Sequence, residues 1–321
     1  MAKIHNSIVD LIGNTPLLEL SRYAEKHNLP ARLIGKVEYF NPVGSIKDRI
    51  AWAIIDDAER KGELKPGQLI VDITSGNTGI ALAAIAAARG YRAKFYLGDN
   101  TSPDKERIIR AFGADVVSVP NSLFLDPSAL EQLFARAESE NPGSFIANQL
   151  GNPVNPQKHY ETTGPEIWAD TDGQVDFLVG GVGTGGTVSG AGKYLKERNP
   201  DLKVIVIEPG ESSLPSEDNV YPHEIDGVHK VDGIEAELLP DNYDIAIADE
   251  IVPVEADAGY ATARELARTE GLLIGSSAGA IVNAATIIAA RPENAGKTVV
   301  AVLPDTGERY LSVGVFDDPE A

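Results

Sequence analysis

The chain of 321 residues contains no cysteine. That excludes a disulfide framework, thiolate metal ligands and a cysteine nucleophile together, and it accords with a reducing compartment. Long apolar runs are also missing. The longest, such as residues 80–88, fall far short of the ~18 residues a membrane span needs. Residues 1–12 lack the apolar centre of a secretory signal, so a cytoplasmic protein is expected. Positive charge is scarce, with 28 Lys and Arg against 48 Asp and Glu, a net charge of −20. Such a surface is repelled by phosphate backbones and anionic membranes, so neither nucleic acid nor membrane is expected as a partner. The five histidines lack metal-ligand spacing, and no metal is expected.

What the chain does have is alternation. Strand-like runs at 33–38, 69–73, 93–97, 115–119, 177–179, 204–207 and 298–303 are separated by helix-like segments at 45–61, 77–89, 104–112, 128–139, 187–198 and 260–270. This pattern predicts an α/β fold with parallel sheets under covering helices. The length suggests two lobes. No internal repeat or low-complexity linker stands out, and residues 210–225, rich in Pro, Ser and acidic side chains, read as a surface loop. Ligands of open α/β sheets bind beyond the carboxyl ends of strands. The turns at 74–78, 180–186 and 304–307 are therefore where chemistry is expected.

Two motifs invite simple readings. Gly181-Val-Gly-Thr-Gly-Gly186 satisfies G-x-G-x-x-G between a strand and a helix, with Glu208 at the end of the next strand. That fits a dinucleotide fingerprint, but the same turn suits any phosphate, or binds nothing. Gly275-Ser-Ser-Ala-Gly279 satisfies the G-x-S-x-G elbow. The hydrolase order needs a histidine after the serine, and every histidine precedes Ser277. A helix start with small residues for close packing is the better reading.

Lys47 is oddly placed. Ser45 and Asp48 have the spacing of a capping box, which puts Lys47 in the first turn of a helix whose apolar face is Ile46, Ile50 and Ile54. A cation there opposes the helix dipole. The position disfavours the ammonium form, and a neutral amine is what Schiff-base chemistry requires; a surface lysine offset by Asp48 is the plainer alternative. The turn Thr74-Ser-Gly-Asn-Thr-Gly79 gathers hydroxyls, an amide and free backbone N–H groups, which together would grip a carboxylate; an ordinary N-cap turn would use the same residues.

Seven stretches, in order, resemble the cysteine synthase and cystathionine β-synthase family of fold-type II pyridoxal-phosphate enzymes. They are Gly13-Asn-Thr-Pro-Leu17, Asn41-Pro-Val-Gly-Ser-Ile-Lys-Asp-Arg49, the 74–79 turn, Asn152-Pro-Val-Asn-Pro156, Tyr160-Glu-Thr-Thr-Gly-Pro-Glu166, Gly183-Thr-Gly-Gly-Thr187 and Pro304-Asp-Thr-Gly-Glu-Arg-Tyr310. The resemblance implies two open-sheet αβα domains with the active site between them, residues 45–150 forming the smaller and 1–44 plus 151–321 the larger. It implies pyridoxal 5'-phosphate as cofactor, carried as a Schiff base on catalytic Lys47. Gly183, Thr184, Gly185, Gly186 and Thr187 would hold its phosphate, Asn77 its 3' oxygen and Thr306 its pyridine nitrogen. Thr74, Ser75, Gly76, Asn77, Thr78 and Gln149 would hold the substrate carboxylate.

The implied reaction makes L-cysteine from O-acetyl-L-serine and sulfide by β-replacement through an α-aminoacrylate, with Lys47 as general base. Cystathionine β-synthase or sulfide-releasing cysteine lyase activity would use the same scaffold, and a non-catalytic regulatory partner of serine acetyltransferase is a reading of another class. A homodimer is implied too, as is serine acetyltransferase as a partner. One departure bears on specificity. Gly233-Ile-Glu-Ala-Glu-Leu238 puts Glu235 and Glu237 where the family commonly has glycine, at the expected mouth of the site, so they become candidates for handling the second substrate.

Overall fold

The computed structural model describes residues 4–125, 127–216, 219 and 222–317. Ten strands form two sheets: β1 (Leu17–Glu19), β2 (Arg32–Val37), β3 (Leu69–Thr74), β4 (Arg92–Gly98), β5 (Asp115–Val119), β6 (Phe145–Ile146), β7 (Phe177–Gly181), β8 (Lys203–Pro209), β9 (Glu250–Val254) and β10 (Thr298–Leu303). The six-stranded sheet has the order β1-β2-β10-β7-β8-β9 and the four-stranded sheet β5-β4-β3-β6. Every pairing is parallel except β1 with β2.

Both sheets are buried on two faces, which is why their strands read as continuous apolar runs. In β10, Val299, Ala301 and Leu303 pack against the helices 256–269 and 276–289, while Val300 and Val302 pack on the opposite side with Val188, Ala191 and Leu195. The smaller sheet repeats this, with Ile70, Phe95 and Leu97 against the Lys47–Lys61 and Asn77–Arg89 helices and Val71, Ile73 and Tyr96 against Leu133 and Ala137.

The connections fix where a ligand fits. From β7 the chain steps outward to β8 and β9, then returns to β10 on the other side of β7. From β3 it steps outward to β4 and β5, then returns to β6 on the other side of β3. Each sheet therefore has one switch point, and a crevice opens beyond the carboxyl ends of the strands there. The 74–78 turn borders one crevice, and the 180–186 and 304–307 turns border the other. Asn77 Nδ2 donates to Asp305 Oδ2 at 2.7 Å and Ser45 bridges to Asp305, so the two crevices face each other.

All seven predicted strands and all six predicted helices are present, with ends shifted by a few residues. The helix expected from residue 45 begins at Lys47, and the capping box is altered: Ser45 Oγ accepts from Lys47 N at 3.2 Å, while Asp48 Oδ2 accepts from Val43 N at 2.7 Å. Short strands β1 and β6 carried too few residues for a period. Four residues of the 210–225 loop lie outside the described residues; among the others, Ser213, Pro222 and Ile225 are buried. A short tandem repeat is present here. His223-Glu-Ile-Asp-Gly-Val228 is followed at once by His229-Lys-Val-Asp-Gly-Ile234.

Asp72 stands inside β3, fully buried, with neither carboxylate oxygen hydrogen-bonded. Burial pushes it up to about 7; the backbone N–H groups of Ile73, Gln149 and Asn148 lie near enough to pull it partway back, though outside hydrogen-bond geometry. A folded-state pKa above the unfolded one favours the fold below pH ~4, and that advantage fades as pH rises through about 7. Asp72→Asn is therefore expected to melt with the unaltered protein at pH 4 and above it at pH 8. The gap is bounded by ~4 kcal/mol for a shift of about three units and reduced by the amide's own burial. Thermal melts across that range check it.

Candidate active site

Lys47 is the first residue of its helix. Its amine makes no hydrogen bond or ion pair among the described residues. Burial pushes the ammonium down, against the pull of Asp305 and Asp226 and with the push of Lys105. The residue as a whole is half-buried, and its surroundings incline the amine to the neutral form.

The position of Lys47 is set two residues further on. Arg49 is completely buried and clamped from two sides: Nε and Nη2 donate to Glu38 at 2.8 and 2.9 Å, and Nη1 and Nη2 donate to Glu166 at 2.7 and 2.6 Å. Lys36 Nζ donates to Glu166 Oε2 at 2.8 Å, and Asn14 N to Glu166 Oε1 at 3.0 Å. Thr15 Oγ1 donates to Glu38 at 2.7 Å and Gly13 N to Asn41 Oδ1 at 2.8 Å. Three of the stretches that carried the resemblance, 13–17, 41–49 and 160–166, thus meet in one buried ionic cluster.

Across the crevice, the chain leaves β7 and enters the Gly186–Lys196 helix through Gly185 at φ +79°. Any side chain at Gly185 would collide with Tyr243, and Gly183 lies against the backbone of Gly227. Thr184 Oγ1 accepts from Asn155 Nδ2 at 3.0 Å. Thr187 Oγ1 meets His159 Nε2 at 3.3 Å, and His159 Nδ1 meets Thr163 Oγ1 at 2.8 Å. Burial drives His159 well below the usual imidazole range, helped by Arg49 and Lys47, so it is neutral. The open N–H groups at this helix start form an anion seat.

The 74–78 turn brings its members together. Gly76 adopts φ +132°, and a side chain there would strike Lys105. Thr74 Oγ1 accepts from Gly76 N at 3.0 Å, Ser75 is exposed, and Thr78 Oγ1 donates to Gln149 Oε1. Gln149 is buried and held by Asn155 and Asn242, whose amides donate to its carbonyl at 3.0 and 2.9 Å. Asn77 also accepts from Arg309 Nη1 at 2.6 Å, which leaves its second N–H without a partner among the described residues. Thr306 Oγ1 caps the 307–310 turn, accepting from Glu308 N at 3.4 Å.

Glu235 and Glu237 are exposed on or beside the 236–238 turn and make no hydrogen bond or ion pair among the described residues. Both copies of the hexapeptide touch the 180–186 turn: Gly227 of the first lies against Gly183, and His229 N of the second donates to Val182 O at 2.8 Å. Sequence reasoning missed the carboxylate of the first copy, Asp226. It also missed Lys105, Tyr310 and Asp305, which join Asp226 in one network. The tandem itself was the available signal, because it leaves two registers for this segment. Gly275–Gly279 is a tight helix start, with Gly279 against the carbonyl of Gly259.

A glycine-rich helix start suited to an anion at one crevice and an unpartnered buried amine at the first turn of the Lys47–Lys61 helix suit a group carrying both a phosphate and an aldehyde; the class is that of enzymes that use pyridoxal phosphate. Residues 8–305 match the family described as pyridoxal-phosphate dependent enzyme, and the chain belongs to it, in the fold-type II group that includes the cysteine synthases. It is 43% identical to O-ureido-L-serine synthase of Streptomyces lavendulae, over 98% of this chain and 93% of that protein. It is 39% identical to cysteine synthase A of Salmonella typhi, over 99% and 97%. Among solved structures it is similar to a hydrogen sulfide-producing enzyme of Fusobacterium nucleatum, with a TM-score of 0.86, 38% identity and coverage of 96% and 100%. No helix among the described residues is long and apolar enough to cross a membrane.

Proposed function

We propose that the protein catalyses β-replacement on an O-activated L-serine, with O-acetyl-L-serine as the first substrate; with sulfide as the second, the product is L-cysteine. The observation that carries this reading is the unpartnered Lys47 amine at the first residue of its helix, its ammonium form disfavoured by burial. Bound pyridoxal phosphate supplies the electron sink for charge left at the substrate Cα.

The chain supplies the rest. The helix start at Gly186, with Gly183, Thr184, Gly185 and Thr187, seats the phosphate. Thr74, Ser75, Gly76 and Thr78 take the substrate carboxylate, with Gln149 orienting Thr78. Lys47 would anchor the cofactor, take the proton from Cα and later return one. Asn77, fixed by Asp305 and Arg309, and Thr306 would hold the ring. The division at residues 45–150 follows the smaller sheet, and a shift of that unit over bound substrate would close out water.

The test is to offer O-acetylserine, serine and cysteine separately to the yellow holoenzyme. A rapid cofactor absorbance change with O-acetylserine, and slower or absent changes with the other two, is expected. A response to cysteine alone, with sulfide released, would instead make the protein a cysteine lyase.

A further inference from the structure

The Val154–Glu161 helix lies so close to the Gly186–Lys196 helix that a side chain at Gly186 would strike Asn155 Oδ1, and one at Gly190 the carbonyl of Pro156. Asn155 and His159, one turn apart on the first of these helices, are both buried, and each meets one threonine hydroxyl of the glycine turn. Asn155 Nδ2 donates to Thr184 Oγ1 at 3.0 Å and to the Gln149 carbonyl at 3.0 Å. A carbonyl only accepts, so the amide cannot be turned the other way round. His159 Nε2 meets Thr187 Oγ1 at 3.3 Å, and His159 Nδ1 meets Thr163 Oγ1 at 2.8 Å. Thr163 is fully buried, and its hydroxyl has no other partner among the described residues. A buried hydroxyl proton without an acceptor is costly, so Thr163 donates to Nδ1. Burial, with Arg49, Lys47 and Lys158, keeps the ring neutral against the pull of Glu166. A neutral imidazole carries one ring proton, which must then sit on Nε2 and be donated to Thr187. Thr184 and Thr187 thus each receive a proton, and neither hydroxyl has a second partner among the described residues.

We propose that Asn155 and His159 are positioning residues of the anion seat: by donating into Thr184 and Thr187 they turn both hydroxyl protons toward the cofactor phosphate, with His159 held as its Nε2–H tautomer by Thr163. This rests on the placement of the phosphate in the reading above and adds what aims its hydroxyls. A phosphate oxygen without a proton only accepts. A threonine presenting lone pairs would repel it, whereas one presenting its proton makes a charge-assisted hydrogen bond. Because the helix behind the turn has already taken up the lone pairs, the hydroxyls are aimed before the anion arrives, and less order has to be imposed on binding. The relay moves no proton; it fixes the direction of three hydrogen bonds in series, from Thr163 through His159 to Thr187 and the anion.

The experiment has two readouts on the holoenzyme, neither of them turnover. NMR of the ring nitrogens in protein carrying isotope-labelled histidine, with the His159 signals assigned by their loss in His159→Gln, should show a bare Nδ1 and a protonated Nε2. A protonated Nδ1 would overturn the proposal. The second readout is the rate at which pyridoxal phosphate is lost on dilution, taken beside the melting temperature. Thr187→Val, His159→Leu and Asn155→Leu should each lose the cofactor about tenfold faster or more, the size of one hydrogen bond to a charged group. Thr163→Val, a near-isosteric change that leaves the turn itself untouched, should act in the same direction, and His159→Gln, whose amide can still donate to Thr187, should recover part of the loss. If Thr187→Val loses cofactor faster while His159→Leu and Thr163→Val keep it as the unaltered protein does, the residues behind the turn serve packing alone and the proposal fails. If Thr187→Val also keeps it, the placement of the phosphate fails, and the proposal with it.

Discussion

Alanine in place of Lys47 is expected to leave a folded protein that no longer turns over O-acetylserine. A positioned general base contributes ~10²–10⁴-fold, and Lys47 also anchors the cofactor, so a loss of at least ~10³-fold in kcat is the expected size. The residue is partly solvent-exposed and its amine makes no bond to another described residue, so its removal breaks no folding contact. Circular dichroism and the melting temperature should change little, while the yellow colour fades or becomes removable by dialysis. Turnover at the unaltered rate would show that another group takes the Cα proton.

The second large effect concerns stability. Arg49→Met is expected to destabilise by ~3–5 kcal/mol, because it leaves the buried carboxylates of Glu38 and Glu166 without their shared cation. That is a large share of the stability of an ordinary domain, and lowered soluble yield should accompany a reduced denaturation midpoint. The pH dependence separates the partners. Burial alone would raise Glu166, but Arg49 and Lys36 hold it at about 2. A depressed folded pKa stabilises above the unfolded value, and that stabilisation is lost as pH falls through about 2. A shift of this size corresponds to ~3 kcal/mol. Glu166→Gln should lack this part of the acid limb in urea titrations run between pH 5 and 2.

Much of this was legible in the sequence because helices and parallel strands announce themselves by period and by small-residue turns. Lys47 was legible for a different reason: a cation at a helix start violates local electrostatics, and such violations collect where chemistry is done. Gly185 and Gly76 were readable as turn glycines at strand ends. The ionic cluster around Arg49 was not, since Glu38, Arg49 and Glu166 are far apart in the chain and only the sheet order brings them together. Asp226 was hidden by register. Its neighbour Gly227 lies against the backbone at Gly183, a tertiary contact that no local pattern announces.

The doubled hexapeptide has a consequence for chains of other lengths. A version lacking six residues here would still bring a His-x-(Ile/Val)-Asp-Gly unit to the glycine turn, because either copy can supply it. The carboxylate that reaches the crevice is thus buffered against loss of one copy, whereas the segment that follows is not.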